Sequence, residues 1–550
     1  MSCAELQHLE IIIGSGIGGL TTGVLLSKVG KKVLVLEQHD QAGGCCHTFI
    51  DKGYEFDVGI HYIGEIGPGE LNRTLVDEIT EGQLEWEPLE SQYDQITIGY
   101  DKNKKTFPVW AGNDKWKNSL IDHFPDEKNA IEKFFKMVKD TENFDVFQGL
   151  LKLLPLWLSW LITKTGLIKF FVPFWSGLFT KSTQEIVESL TKNKDLQTIF
   201  TYCWGDYGSP PQDSSFIMQG MLVNHFAKTG GYYPIGGASE IAFNMIPVIE
   251  KSGGAVLVRA NVKKIICNDI GQACGVLVKK GSEEMSIAAP IIISNAGAYN
   301  TFQKLLPQEI SEISYYSKIL RKSKPGMAAI SIFVGLDASN EDLNLKAQNT
   351  WAFTSNDCFK EFETYINSDP DLAQDMKTPL LFVSFPSAKD PKWSTHPGRK
   401  DKSTCAIVTI SNFDWFKAWE NQPLKRRGDD YDSLKKTLAD NMIEQACVLF
   451  PQIREHIAYI EIGTPITNNH YLASPHGEIY GLDHGFERFD PWKIAQLRAS
   501  TDISGLYLTG QDSLLCGFTG ALFGGLLCAG SILGRNVMGD LEALHAKQNK

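Results

Sequence analysis

The chain has 550 residues, 43% of them hydrophobic and 21% charged, with 65 acidic against 53 basic side chains and a net charge of −12. That balance excludes disordered and fibrous proteins, and the acidic surplus excludes a general nucleic-acid binder, which needs a basic surface to displace counterions. At roughly 150 residues per domain the length fits two to four domains, or one large domain carrying insertions. The 11 cysteines are odd in number and include no C-x-x-C, which argues against zinc ribbons, thioredoxin-type motifs and a disulfide scaffold and makes a reducing compartment the default. Neither H-E-x-x-H nor a facial-triad spacing occurs, so no metal site is expected.

Residues 1–10 carry neither the charged nor the apolar region of a secretory signal. Leu9 to Ile13 reads as a buried parallel strand, Leu20 to Val29 as a helix, and Lys32 to Glu37 as a second buried strand. Between strand and helix lies Gly14-Ser15-Gly16-Ile17-Gly18-Gly19, a G-x-G-x-x-G fingerprint, with Glu37 eighteen residues after Gly19. This is a dinucleotide-binding βαβ unit. Gly14 permits the tight turn, Gly16 lets the backbone approach a pyrophosphate, and Gly19 lets helix and strand pack closely. The pyrophosphate meets free N–H groups at the positive end of the helix dipole. Glu37 accepts hydrogen bonds from the ribose hydroxyls and disfavours a 2′-phosphate.

Gln41 to Thr48 brings a Gly43-Gly44 turn, free of bulk where an elongated dinucleotide would run past the loop. Gly53 to Tyr62 alternates like a strand re-entering that site, with an ordinary hairpin as the alternative. Leu150 to Leu178 has uncharged runs of about eleven residues, broken by Pro155 and Pro173 and too short to span a bilayer. Its Trp157, Trp160 and Trp175, with Lys152, Lys164 and Lys169, suit a helix lying in the membrane interface, the alternative being a cap roofing the substrate pocket. Further short strands are expected at 254–258, 263–267, 275–279, 290–296 and 505–510. Gly510-Gln511-Asp512 then puts the Asp512 carboxylate beside the ribityl hydroxyls of a flavin, and a helix opening around Gly520 presents its N-terminus to the isoalloxazine. Ser513 to Gly534 carries no charge over more than the roughly 18 residues of a membrane span, yet its six glycines fit a buried helix against a cofactor better.

The strings GSGIGGLTTGVLLSKVGKKVLVLEQHDQAGGCCHTF, EFDVGIHYIG, GGYYPIGGASEIAF, SNAGAYNTF, FPSAKDP and LTGQDSLLCGFTGALFGGLLC resemble the retinol saturase branch of the carotenoid desaturase and isomerase family of flavoproteins, from about residue 9 to about residue 540. The resemblance implies FAD, reducing equivalents from NAD(P)H, a retinoid or related polyene substrate, saturation of the 13–14 double bond of all-trans-retinol, and attachment to the endoplasmic reticulum membrane. The family's hydrophobic leader has no counterpart in this sequence, which leaves a cytoplasmic or cytoplasmic-face location as the alternative. The expected fold is α/β: an interrupted Rossmann-type FAD-binding domain (1–95, 226–300 and 461–550) carrying an inserted antiparallel-sheet substrate domain and helical cap (96–225 and 301–460). In the expected reaction one carbon of a conjugated double bond receives hydride and the other a proton. His47 and His61 are candidates for the acid, against the alternative of structural histidines beside a cofactor. Polyene isomerisation or desaturation on the same scaffold is a second reading. A non-enzymatic prenyl-lipid carrier is a third, opposed by the intact turn at Asp512.

Overall fold

Every residue of the segment LEIII is buried, as a strand covered on both faces requires. The computed structural model describes residues 9–168, 178 and 181–549. In it β1 (Leu9–Ile13), α1 (Ile17–Lys28) and β2 (Lys32–Leu36) follow one another, and β1 takes the centre of a five-stranded parallel sheet. The strand order is Leu506–Leu508, Ile291–Ser294, β1, β2, Ala255–Leu257, so three distant stretches of chain build one sheet. One face packs against α1, the helix Ser239–Lys251 and the apolar helix Gly517–Leu533; the other packs against a three-stranded antiparallel sheet spanning residues 261–288 and the segment around Phe302 and Tyr316. The interrupted Rossmann-type α/β architecture expected from the sequence is the one observed.

The helix Gly517–Leu533 owes its lack of charge to burial against α1. A Cβ at Gly18 would lie 2.5 Å from the Cα of Gly510, and a Cβ at Gly525 would lie 2.6 Å from the carbonyl oxygen of Gly18. The hydroxyl of Thr22 bridges the crossing, 2.8 Å from the Gly18 carbonyl, 3.2 Å from that of Gly525 and 3.0 Å from the hydroxyl of Thr509. Among the described residues no single helix is long and apolar enough to cross a membrane.

Gly53 to Tyr62 does not form one strand. Thr48–Asp51 and Tyr54–Asp57 pair as a tight hairpin whose turn residues, Lys52 and Gly53, both have positive φ, as a type I′ turn requires. The chain then leaves the ladder, which frees Gly59 to Tyr62 to line a cavity.

The second large sheet has seven strands, ordered Ile457–Gly463, Ala328–Leu336, Ser403–Ser411, Leu380–Ser384, Asn349–Phe353, Gln92–Ile98, Lys105–Trp110. It departs from the expected antiparallel pattern at one place: Asn349–Phe353 runs parallel to Gln92–Ile98. These strands come from stretches too far apart for a hairpin, so either direction is open to them. The helix Asp429–Leu449 covers one face, and helices between residues 113 and 227 cover the other with an aromatic core in which Phe134 and Phe200 stack 4.0 Å apart.

Within the cap, Phe144–Leu153 and Leu156–Lys164 are separate helices, broken at Pro155. Trp157 is 68% and Trp160 50% exposed, and Lys164 is exposed beside them. Lys152 contradicts the sequence reading. It is buried and donates to the carbonyls of Ile494, at 3.0 Å, and Leu497, so it anchors the cap instead of reaching for headgroups. Trp175 and Lys169 lie outside the described residues. Replacing Gly525 with Ala overpacks the α1 crossing at a cost of about 1–3 kcal/mol, and the expected result is a lower thermal unfolding midpoint. An unchanged midpoint would show that the two helices yield there.

Candidate active site

The C-terminal ends of the parallel strands open onto a cavity of about 1600 Å³ that continues across to the seven-stranded sheet. That exceeds the roughly 300–1,000 Å³ of a site for one drug-sized ligand. Strand ends at a crossover point are where doubly wound sheets bind nucleotides. Of the residues singled out in the sequence, Gly14, Gly16, Glu37, Gly44, His47, His61, Asp512 and Gly520 line the cavity, whereas Gly19, Gly43 and Gly510 lie behind its wall.

For Gly510 the reason is Asn295, which the sequence reading passed over. Its side chain wedges between the loops: a Cβ at Gly16 would lie 2.8 Å from Asn295 Nδ2, and a Cβ at Gly510 2.4 Å from Asn295 Oδ1. Gly510 is therefore a spacer for a neighbouring side chain, and Gly16 faces both Asn295 and the cavity. Ser15 was missed as well. Its hydroxyl donates to Glu37 Oε2 at 2.6 Å and accepts from the N–H of Gly43 at 3.1 Å, so it ties the fingerprint loop to both the acidic residue and the Gly-Gly turn. The other Glu37 oxygen accepts from the N–H of His39 at 2.9 Å. Asp512 braces rather than dangles: Oδ2 accepts from the N–H of Ala298 at 2.7 Å and Oδ1 from that of Leu482 at 2.9 Å. These bonds pull two loops onto the end of the last strand.

Both helices that meet at the crossing begin at this cavity. Gly16 precedes α1 and Cys516 precedes Gly517–Leu533, and neither end has a side-chain cap. His484 accepts from the Cys516 N–H at 3.0 Å. The hydroxyl of Thr519, in the first turn of the second helix, and Nε2 of His39, near Glu37, are buried without a hydrogen-bond partner among the described residues. Uncapped helix ends, a ribose-sized carboxylate position and orphaned polar atoms along one elongated wall fit a dinucleotide.

The opposite end is apolar. Phe226, Phe333, Trp351, Phe382, Val408 and Ile410 line it over the seven-stranded sheet. Toward the outside the lining includes Val146, Leu150 and Leu153 of the cap, which are 63%, 53% and 46% exposed. His61 sits in this wall with its ring 5.0 Å from that of Phe382; burial and the charge of Lys389 push its pKa down to about 3. His47 contacts the Gly44 carbonyl through Nδ1, and burial lowers its pKa too. Burial thus disfavours the imidazolium form of both.

A buried polar cluster backs the same wall. Lys389 Nζ donates to the His61 carbonyl at 2.7 Å, to Asn349 Oδ1 at 2.5 Å and to Ser384 Oγ at 2.8 Å. Asn349 Nδ2 donates to Asp94 Oδ1 at 2.9 Å, and the Tyr62 hydroxyl lies 3.0 Å from an oxygen of Asp94 and 3.0 Å from one of Asp206. The sequence carried two signals for it: Lys389 in FPSAKDP, and an acid in the otherwise core-facing strand QYDQITI.

Fold and cavity together define the class, a Rossmann-type dinucleotide-binding oxidoreductase. The profile of NAD(P)-binding Rossmann-like domains matches residues 12–79, and the structure of a putrescine oxidase, 13% identical, superposes with a TM-score of 0.61 over 96% of this chain and 100% of that one. An all-trans-retinol 13,14-reductase of Danio rerio is 45% identical over 534 residues, 97% of this chain and 87% of the relative. The chain belongs to the all-trans-retinol 13,14-reductase family. A second Danio rerio relative, named an inactive all-trans-retinol 13,14-reductase, is 40% identical over 96% of this chain and 86% of its own length. A prolycopene isomerase of an Oncidium hybrid cultivar is 28% identical over 95% of this chain and 83% of its own.

Gly16 and Asn295 supply a direct check on this geometry. Gly16→Ala is expected to lower the unfolding midpoint, and adding Asn295→Ala to recover part of the loss, with a coupling of about 0.5–3 kcal/mol as for residues in contact. Strictly additive losses would mean that the loop relaxes away from Asn295.

Proposed function

We propose that this protein holds FAD in the polar end of the cavity and reduces a conjugated double bond of a retinoid in the apolar end, the 13–14 bond of all-trans-retinol to give all-trans-13,14-dihydroretinol. The observation that carries the reading is the continuity of one cavity from the fingerprint loop to the aromatic wall. Gly16 and the first turn of α1 hold the pyrophosphate, and Glu37 holds the ribose. Asp512 fixes the loops at Ala298 and Leu482 around the flavin end, where the second helix N-terminus and the Thr519 hydroxyl supply donors. Bound FAD supplies the hydride, with NAD(P)H as the source of reducing equivalents. Phe382, Trp351 and Ile410 exclude water and hold the polyene edge-on to the cofactor.

Purified protein is expected to show a flavin absorption band and, after anaerobic reduction, to convert all-trans-retinol to its 13,14-dihydro product in chromatographic analysis of a retinoid and carotenoid panel. Rearranged double bonds without net reduction would move the reading to an isomerase, and a colourless protein that cannot be reconstituted would overturn the flavin. Asp512→Ala removes two charge-assisted hydrogen bonds, each worth about 1.5–3 kcal/mol, and should weaken FAD retention measurably.

We further propose that the face formed by Val146, Leu150, Leu153, Trp157 and Trp160 rests on a membrane, that of the endoplasmic reticulum by the family resemblance, and passes substrate inward. Its support is that Val146, Leu150 and Leu153 are both exposed and part of the cavity lining, and that the exposed Trp157 and Trp160 lie on the helix that follows them. Burying a large apolar side chain contributes roughly 1.5–3 kcal/mol, enough for reversible attachment through two or three anchors. Changing Trp157 and Trp160 together to Glu should release the protein from liposomes with its flavin content intact. Loss of flavin and aggregation would instead mark these residues as part of the core.

A further inference from the structure

The reduction proposed above needs a proton as well as a hydride, and the structure contains a group arranged to give one; the inference rests on that reading of the cavity. The hydroxyl of Tyr62 lies 3.0 Å from carboxylate oxygens of both Asp94 and Asp206. A phenol has one hydrogen to donate. Asp94, fully buried, receives the Asn349 amide at 2.9 Å, the Trp351 indole N–H at 3.2 Å and the Tyr202 hydroxyl at 3.3 Å. One hydrogen cannot serve two carboxylates, so Tyr62, Asp94 and Asp206 share a further proton, and the three other donors on Asp94 favour the anion there and the proton on Asp206. The contact between Tyr62 and Asp206 is then a hydrogen bond only with a proton on the Asp206 carboxyl. Lys389 is hydrogen-bonded to Asn349 and not to Asp206, and its charge offsets the upward shift of the Asp206 pKa only in part.

Asp206 also stands in the right place. It is half-buried in the cavity wall with Tyr62, Trp351 and Phe382. Its neighbour Gly205 lets the Trp351 ring lie directly on the backbone, where a Cβ would come within 2.8 Å of that ring. The carboxyl therefore faces an apolar, water-poor slot. Burial and the charge of Asp94 push its pKa up to about 8, and burial raises that of Asp94 to about 7, so the pair favours holding a proton near neutral pH.

We infer that Asp206 is the proton donor of the reaction, its carboxylic acid delivering a proton to the alkene carbon beside the one that takes the hydride. The π bond of the alkene breaks and two C–H bonds form. One uses the hydride and its electron pair from the reduced flavin, and the other uses the π electrons and the Asp206 proton. Asp206 is left as a carboxylate and regains a proton from water entering by the cavity mouth. Tyr62 and Asp94 are positioning residues that hold the carboxyl toward the slot.

The test uses the whole protein and two readouts. In the substrate-free protein at pH 7, difference infrared spectroscopy of wild type against Asp206→Asn should show the C=O stretch of a protonated carboxyl, shifted in D2O. In single turnover with all-trans-retinol, Asp206→Asn should lose about 10²–10⁴-fold in rate, as for removal of a general acid, with flavin content and retinol binding unchanged and partial recovery in Asp206→Glu. The wild-type rate should fall as pH rises past about 8. The groups facing Asp206 are Asp94, Tyr62, Tyr93, Cys203, Tyr480, Cys516 and Lys389; burial raises the tyrosines and cysteines, while Asp94, pushed up to about 7, and Lys389, pushed down to about 7, titrate in the same range, so the infrared band lost in Asp206→Asn assigns the proton. A missing band, or an Asp206→Asn protein as fast as wild type, overturns the proposal while leaving the reductase reading in place. A wild type that reduces no retinoid, yet shows the band, defeats the reductase reading instead.

Discussion

The contact between Gly18 of α1 and Gly525 of the apolar C-terminal helix sets the position of nearly everything at the polar end of the cavity. Backbone meets backbone there, with Gly510 filling the third side and the Thr22 hydroxyl clasping the carbonyls of Gly18 and Gly525 and the hydroxyl of Thr509. The crossing falls at the start of α1 and the middle of the second helix, and both N-termini open onto the same cavity. Their dipoles thus converge on one ligand instead of acting at separate sites. A side chain at either glycine would spread the helices and with them the two donor clusters. The crossing also explains a composition that otherwise reads as a membrane span, since small residues are what allow close approach.

The apolar end depends on a different device. Because Asn349–Phe353 runs parallel to Gln92–Ile98, Asn349 falls directly beside Asp94 in the register. Its amide then bridges acid and lysine, donating to one and accepting from the other. A buried acid and lysine bridged by an amide in this way contribute little net stability, because desolvation offsets most of the attraction. Its value lies in fixing one arrangement of charge behind an otherwise greasy wall. Lys389 holds the His61 carbonyl as part of the same arrangement, which ties the loop after the hairpin to the substrate sheet.

The first βαβ unit was legible because its determinants are local: a glycine spacing, an apolar run and an acid at a fixed distance all lie within residues 9–37. The apolar helix and its burial were legible for a similar reason. Partners set by tertiary approach were not. Asn295 is a polar residue at a strand end like many others until Gly16 and Gly510 are seen to close on it. Lys152 sits in a lysine–tryptophan pattern suited to an interface, but carbonyls at the end of a helix more than three hundred residues away claim it. Asp512 keeps a place at the cavity although its oxygens are spent on backbone. The parallel strand pair could not be read at all, because strand direction is decided by where the intervening chain goes.

The five-stranded sheet has a temporal consequence as well as a spatial one. Its central strand, Leu9–Ile13, is made long before its edge strand, Leu506–Leu508. Contacts across such sequence separations form slowly, since a long loop must close before they repay its entropy. During translation the fingerprint loop therefore emerges long before the neighbours that complete it. Cofactor capture belongs to the last stage of folding, and a ligand that binds only the finished cradle pulls that stage forward by mass action. Supply of the dinucleotide thus bears on how much of the newly made protein reaches its mature form, quite apart from any chemistry it later supports.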